Sequence, residues 1–134
     1  MANYKGIDVS KWQGNIDWSA VKKAGYTFAI IRSSARNNYI DPCLEQNVKG
    51  CEENGIDYGF YHYSYALTVK QAIAEADFFL KTIGKYRPTM PVYFDIEDNS
   101  QIKLGKQVLT EMTVAFLDKV EKAGYYAGLY TNLL

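Results

Sequence analysis

One histidine, His62, and two cysteines, Cys43 and Cys51, leave the sequence little material for a zinc site or a disulfide framework. The cysteines stand eight apart in "DPCLEQNVKGCEENG", which reads as a helix, and a helical rise of roughly 12 Å between them is too long for a disulfide. They are expected as free thiols. No tract is long or apolar enough to span a bilayer. Fifteen basic and fifteen acidic side chains cancel and neither sign forms a run, so the basic footprint of a nucleic-acid binder is missing. There is no glycine-rich phosphate turn, no G-x-S-x-G elbow for a serine nucleophile, and no low-complexity linker. The start, "MANYKGIDVS", lacks the charged-then-apolar pattern of a secretory leader, which predicts synthesis in the cytoplasm without a signal peptide.

Aromatic residues and a regular alternation of patterns are what the sequence does have. Twelve of the 134 residues are tyrosine, a flat apolar face with a polar tip that suits sugar binding as well as ordinary packing. Strand patterns at 4–10, 26–34, 56–66, 90–97 and 125–131 alternate with helix patterns at 16–25, 41–55, 68–84 and 109–124. Asp17 is the expected N-cap of the first helix, with Gly25 as its stop. Asp41 followed by Pro42 predicts the start of the second. Two helices run through Lys-Ala-Gly-Tyr into a strand, a repeated device with glycine at the helix end.

Strict alternation with apolar strands predicts one α/β domain over residues 1–134, a parallel sheet covered by helices. A doubly wound sheet and a barrel both fit. The strand ends favour the barrel: Asp8 and Ser10, Arg32 to Ser34, Tyr61 to Tyr65, Asp95 and Glu97, and Tyr130 to Asn132 would pool at one mouth.

Within "VYFDIED", pleating puts Tyr93, Asp95 and Glu97 on one face and Val92, Phe94 and Ile96 on the other. The apolar set is expected under the helices, and the two carboxyls in the mouth, roughly 6–7 Å apart if the strand continues to Glu97. Two acids so placed cannot both ionise freely; one pKa rises, which is the division of labour glycoside hydrolysis needs. Asp8 would face the same mouth, and three acids could alternatively hold a divalent cation. His62 alternates with Phe60 and Ser64, opposite Tyr61 and Tyr63, so it is expected behind the sheet.

Together, "GIDVSKWQGNIDW", "FAIIRSS", "GFYHYSYA" and "PVYFDIED" resemble, in order and spacing, the glycoside hydrolase family 25 lysozymes, which include phage endolysins and bacterial muramidases. The resemblance runs from Gly6 to Asn132. It implies a (β/α) TIM-like barrel and cleavage, with retention, of the β-1,4 bond between N-acetylmuramic acid and N-acetylglucosamine in peptidoglycan, without cofactor or metal. It implies Glu97 as general acid, Asp95 as the residue that stabilises the transition state or orients the substrate's 2-acetamido group, and Asp8 as a hydrogen-bonding acid of the same centre. Arg32, Tyr61, Tyr63, Tyr93 and Tyr130 would line the sugar cleft. It further implies action on the bacterial cell wall after release, as in a phage endolysin. Family members continue through further strands that supply another cleft acid, whereas a closed barrel takes roughly 200 to 250 residues. Five strands predict open edges, self-association by edge pairing or swapping, and weakened activity; the competing expectation is an inactive fragment that binds glycan.

Overall fold

The computed structural model describes residues 4–131. Its elements in chain order are β1 (Gly6–Val9), α1 (Trp18–Lys23), β2 (Phe28–Ala35), β3 (Tyr39–Ile40), α2 (Leu44–Glu53), β4 (Asp57–Tyr63), α3 (Val69–Ile83), β5 (Val92–Asp95), α4 (Gly105–Lys122) and β6 (Ala127–Tyr130). Two 3-10 segments, Lys11–Gln13 and Asn99–Leu104, complete them.

The sheet order is β1-β2-β4-β5-β6, every neighbour in that path parallel, with β3 pairing antiparallel on the end of β2. Because each new strand is added beside the last on the same side, the sheet is an arc of a (β/α) barrel rather than a doubly wound sheet, whose order would reverse. Among the described residues the barrel is open, with β1 and β6 at its two edges.

The repeated Lys-Ala-Gly-Tyr segments fold alike. Gly25 and Gly124 take φ of 94° and 98°, and the next amides, of Tyr26 and Tyr125, each reach back 3.4 Å to a carbonyl one turn inside the helix. That closure needs a left-handed residue, which glycine supplies without a Cβ clash. Asp17 caps α1 as expected, its carboxylate accepting from the Ala20 amide at 3.1 Å, and Thr68 caps α3 in the same way through the Gln71 amide.

The apolar faces of the strands meet α3 and α4. Phe94 stacks on Phe116 with ring centroids 4.1 Å apart, and Phe79 lies 5.6 Å from Phe116. His62 is wholly buried in this layer, behind the sheet as expected, between Phe79 and Phe116. Its Nδ1 sits 2.8 Å from Ser34 Oγ and its Nε2 3.3 Å from Glu75 Oε1, the latter without hydrogen-bond alignment. Cys43 and Cys51 are free, and burial pushes the Cys51 thiol up to about 12, so it is an inert core residue.

Several bounds differ from the sequence reading by a few residues, and four of the differences bear on the site. The second helix begins at Leu44, not Asp41: Asp41 Oδ2 pairs with Arg32 while Oδ1 takes the Cys43 amide, so its carboxylate ties down the turn ahead of the helix rather than its first turn. The 28–40 region is a hairpin, since β2 turns back at Arg36 into the short β3. The fourth helix starts at Gly105 after the 3-10 segment, four residues before the expected start. The strand carrying Asp95 ends there, leaving Glu97 in the following loop. Asn132, expected at the end of the last strand, lies outside the described residues.

Candidate active site

Parallel register stacks the cleft side chains in layers. Arg32 pairs with Tyr61, Tyr61 with Tyr93, and Tyr93 with Gly128. One layer on, Tyr63 pairs with Asp95 and Asp95 with Tyr130, while Asp8 pairs with Ile30, one layer before Arg32. The eight side chains singled out as site residues, Asp8, Arg32, Tyr61, Tyr63, Tyr93, Asp95, Glu97 and Tyr130, line one open cavity of about 510 Å³. Gly128 is part of that fit: a Cβ there would stand 2.7 Å from the Tyr93 ring, so any side chain would lift Tyr93 off the sheet.

Other strand-end residues turn away. A bulge between Arg32 and Ser34 shifts the register of β2, so Arg32 keeps the mouth while Ser34 passes behind to His62. Ser10 instead caps the Lys11–Gln13 turn. Tyr65 lies outside the cavity, its ring 5.1 Å from that of Tyr63.

β5 stops at Asp95, so Glu97 lies past the strand end in the following loop rather than on a continuing strand face, and the buried Asp95 Oδ1 has no hydrogen-bond partner. Glu97 is held from both sides. Ile96 donates its amide to Tyr130 O at 3.0 Å and accepts from Thr131 Oγ1 at 2.6 Å. Asp98 caps the next segment in a capping box with Gln101, and the wholly buried Gln101 amide donates to Ser64 Oγ and Ala66 O. The Tyr63 hydroxyl donates to Asp98 Oδ1 at 3.2 Å.

Asp95 is buried, and desolvation raises its carboxyl to about 8; the Glu97 charge and hydrogen bond and the more distant Asp8 charge push the same way, while the Arg32 guanidinium opposes them. The pair therefore keeps a proton at neutral pH. Burial likewise pushes the Tyr61 phenol up to about 12, against the pull of Arg32, and raises Tyr63, aided by the Asp98 charge. Asp98 is held below the ordinary carboxylate range, first by its hydrogen bond from the Ser100 hydroxyl. Among the described residues, no group of three His, Cys, Asp or Glu is arranged to hold a metal ion.

Residues 7–133 match the family described as glycosyl hydrolases family 25. The chain belongs to this family. It is 39% identical over 98 residues to Lysozyme M1 of Streptomyces globisporus, a match covering 71% of the chain and 33% of that protein. The bacterial lysozyme from Streptomyces coelicolor superposes with a TM-score of 0.81 at 30% identity, covering 98% of this chain and 64% of that one. The modular autolysin LytC from Streptococcus pneumoniae, solved in complex with a synthetic peptidoglycan ligand, superposes at 0.82 and 26% identity, covering 94% of this chain and 32% of that one. The chain thus spans about a third to two thirds of the length of these three proteins.

The family 25 cleft also contains residues that the sequence reading did not single out. Trp12 lines the cavity yet is 76% exposed, standing on the turn that Ser10 caps. A large indole left in water beside carboxylates offers a flat apolar face of the kind that can stack on a sugar ring. Asp41, 2% exposed, fixes that platform: its Oδ2 accepts from Arg32 Nε at 2.7 Å and from the Lys11 amide at 3.0 Å, while Oδ1 accepts from the Cys43 amide at 2.8 Å. One carboxylate thereby ties together β2, the loop after β1 and the entry to α2. Trp12→Ala is expected to raise KM for glycan about fivefold to twentyfold with kcat within twofold, as loss of one stacked ring implies. Initial-rate kinetics on solubilised glycan strands check it.

Proposed function

We propose that this domain hydrolyses the β-1,4 bond between N-acetylmuramic acid and N-acetylglucosamine in peptidoglycan, and so acts on the bacterial cell wall. The observation that carries the reading is the placement of Asp95 and Glu97 together, with Asp8, in one open, tyrosine-lined cleft; burial and the neighbouring Glu97 charge raise Asp95 to about 8. Family membership and the relatives named lysozyme and autolysin support it.

In the proposed reaction, Glu97, the less buried of the pair, delivers the proton to the leaving glycosidic oxygen. Asp95, then ionised, stabilises positive charge developing at the anomeric carbon or orients the 2-acetamido group. Asp8 hydrogen-bonds within the same centre. The cleavage is read as proceeding with retention of configuration, one cleft carboxyl acting in turn as acid and base. Arg32, Tyr61, Tyr63, Tyr93 and Tyr130 form the walls that hold the sugars. The unpaired edges of β1 and β6 also support self-association through strand pairing.

The pH dependence tests this. With Asp95 raised to about 8, kcat/KM on peptidoglycan is expected to fall as pH rises through 8, because the shared proton is then lost. Stability moves the same way: between the ordinary 3.8 and about 8 the folded state carries a proton that the unfolded chain has released, so stability declines with rising pH across that window. Asp95→Asn should flatten this decline in urea titrations at pH 5 and pH 8. A rate that stays level to pH 10, or a chelator that abolishes turnover, contradicts the shared-proton mechanism. An inactive glycan binder would show retention on peptidoglycan with no turnover at any pH.

A further inference from the structure

We propose that Arg36, together with Lys11, forms a cationic rim that docks carboxylates on the peptide branches of the glycan; this rests on the peptidoglycan reading above. Arg36 occupies the turn from β2 into β3 and is the one non-glycine among the described residues with positive φ, 55°. L-residues avoid that conformation, and here it carries a guanidinium onto the face of Tyr65, 4.0 Å from the ring centroid. The Tyr65 ring lies 5.1 Å from Tyr63, a wall of the cavity, tilted 55° against it, so a chain of ring contacts leads from the cleft to this cation. Lys11 is seated similarly: its Nζ stands 4.9 Å from the Trp12 ring and 5.3 Å from that of Tyr39.

Neither cation has a carboxylate partner in a salt bridge among the described residues, whereas Arg32, deeper in the cleft, is bound to Asp41. The acid that senses Arg36, Asp98, is already hydrogen-bonded by Ser100 and Tyr63. The floor of the cleft, by contrast, carries Asp8, Asp95 and Glu97. A polymer whose sugars enter that acidic floor must direct its own carboxylates outward, and the rim is where the uncommitted positive charge stands. Stacking holds the Arg36 guanidinium flat while leaving its N–H edge free for a forked contact with a carboxylate.

The experiment measures co-sedimentation of the protein with insoluble peptidoglycan sacculi at low salt, with reducing-end release followed in the same tubes. Sacculi whose carboxyl groups have been converted to amides serve as the comparison. Arg36→Asn removes the charge while tolerating the left-handed backbone, and Arg36→Lys keeps the charge without the fork. Untreated sacculi are expected to bind Arg36→Asn about threefold to fivefold more weakly than wild type, with Arg36→Lys between them and Lys11→Ala weakened similarly. On amidated sacculi, or in high salt, the gap should close. A gap that persists on amidated sacculi shows a purely structural role for the arginine and overturns the rim; so does the absence of any gap, or of any co-sedimentation. Arg36-dependent, carboxylate-dependent binding without reducing-end release overturns the hydrolase reading and leaves the rim standing.

Discussion

Glu97→Gln is expected to lower kcat on peptidoglycan by about a thousandfold, the scale on which a positioned general acid works. The glutamine is close to isosteric and can still hydrogen-bond with Asp95, so circular dichroism and the urea midpoint should change little. What disappears is the proton for the leaving oxygen. A leaving group that needs little protonation separates this loss from damage to the cleft: on an aryl glycoside with an acidic phenol, Glu97→Gln should lose far less than on the natural glycan. Equal losses on both substrates would assign Glu97 to positioning or to charge stabilisation instead of proton delivery. Asp95→Asn should behave differently, losing rate on both substrates, because its proposed task is at the anomeric carbon.

Asp41→Ala is expected to destabilise the fold by about 3 to 5 kcal/mol, the cost of leaving a buried cation without its partner. Arg32 is only 9% exposed and its Nη2 is buried without a hydrogen-bond partner, so it cannot readily recover water when Asp41 is removed. The same substitution frees the Lys11 amide and with it the turn that carries Trp12. Urea denaturation gives the stability. The double variant Arg32→Met, Asp41→Leu should recover most of it, since two apolar groups replace a desolvated ion pair, while glycan affinity stays low because Arg32 and the Trp12 turn are lost as fixed features. A single-variant loss within about 1 kcal/mol, the value of an exposed pair, would show that water reaches Arg32 in solution.

Much of this was legible from pattern. Alternation in "PVYFDIED" assigned Val92, Phe94 and Ile96 to the core and Tyr93 and Asp95 to the cleft, and burial agrees. The same rule separated His62 from Tyr61 and Tyr63. The Lys-Ala-Gly-Tyr repeats marked two helix ends because left-handed closure needs glycine whatever surrounds it. Periodicity gives out where the strand does. Glu97 is two residues past Asp95 in sequence, yet its position depends on Ile96, Asp98 and Gln101 being bonded to β4, β6 and the loops between them.

Asp41 was misread for a related reason. Asp-Pro before a helical pattern is a sound capping signal, and one Asp41 oxygen does take the Cys43 amide just ahead of the helix; what sequence spacing does not reveal is that the hairpin at Arg36 brings a buried guanidinium nine residues earlier onto the other oxygen. Trp12 was missed because an aromatic in a short polar turn gives no sign of its exposure. Its signal was its place, three residues after Val9 ends the first strand.

The cut proposed for this cleft falls on the muramic acid side of the β-1,4 bond. Purified sacculi digested with the domain, with the soluble products reduced by borohydride and the reduced sugar identified by mass spectrometry, test it. Fragments ending in reduced N-acetylmuramic acid are expected, with none from Glu97→Gln under the same conditions. Fragments ending in reduced N-acetylglucosamine, or soluble products of equal yield from the variant, would contradict it.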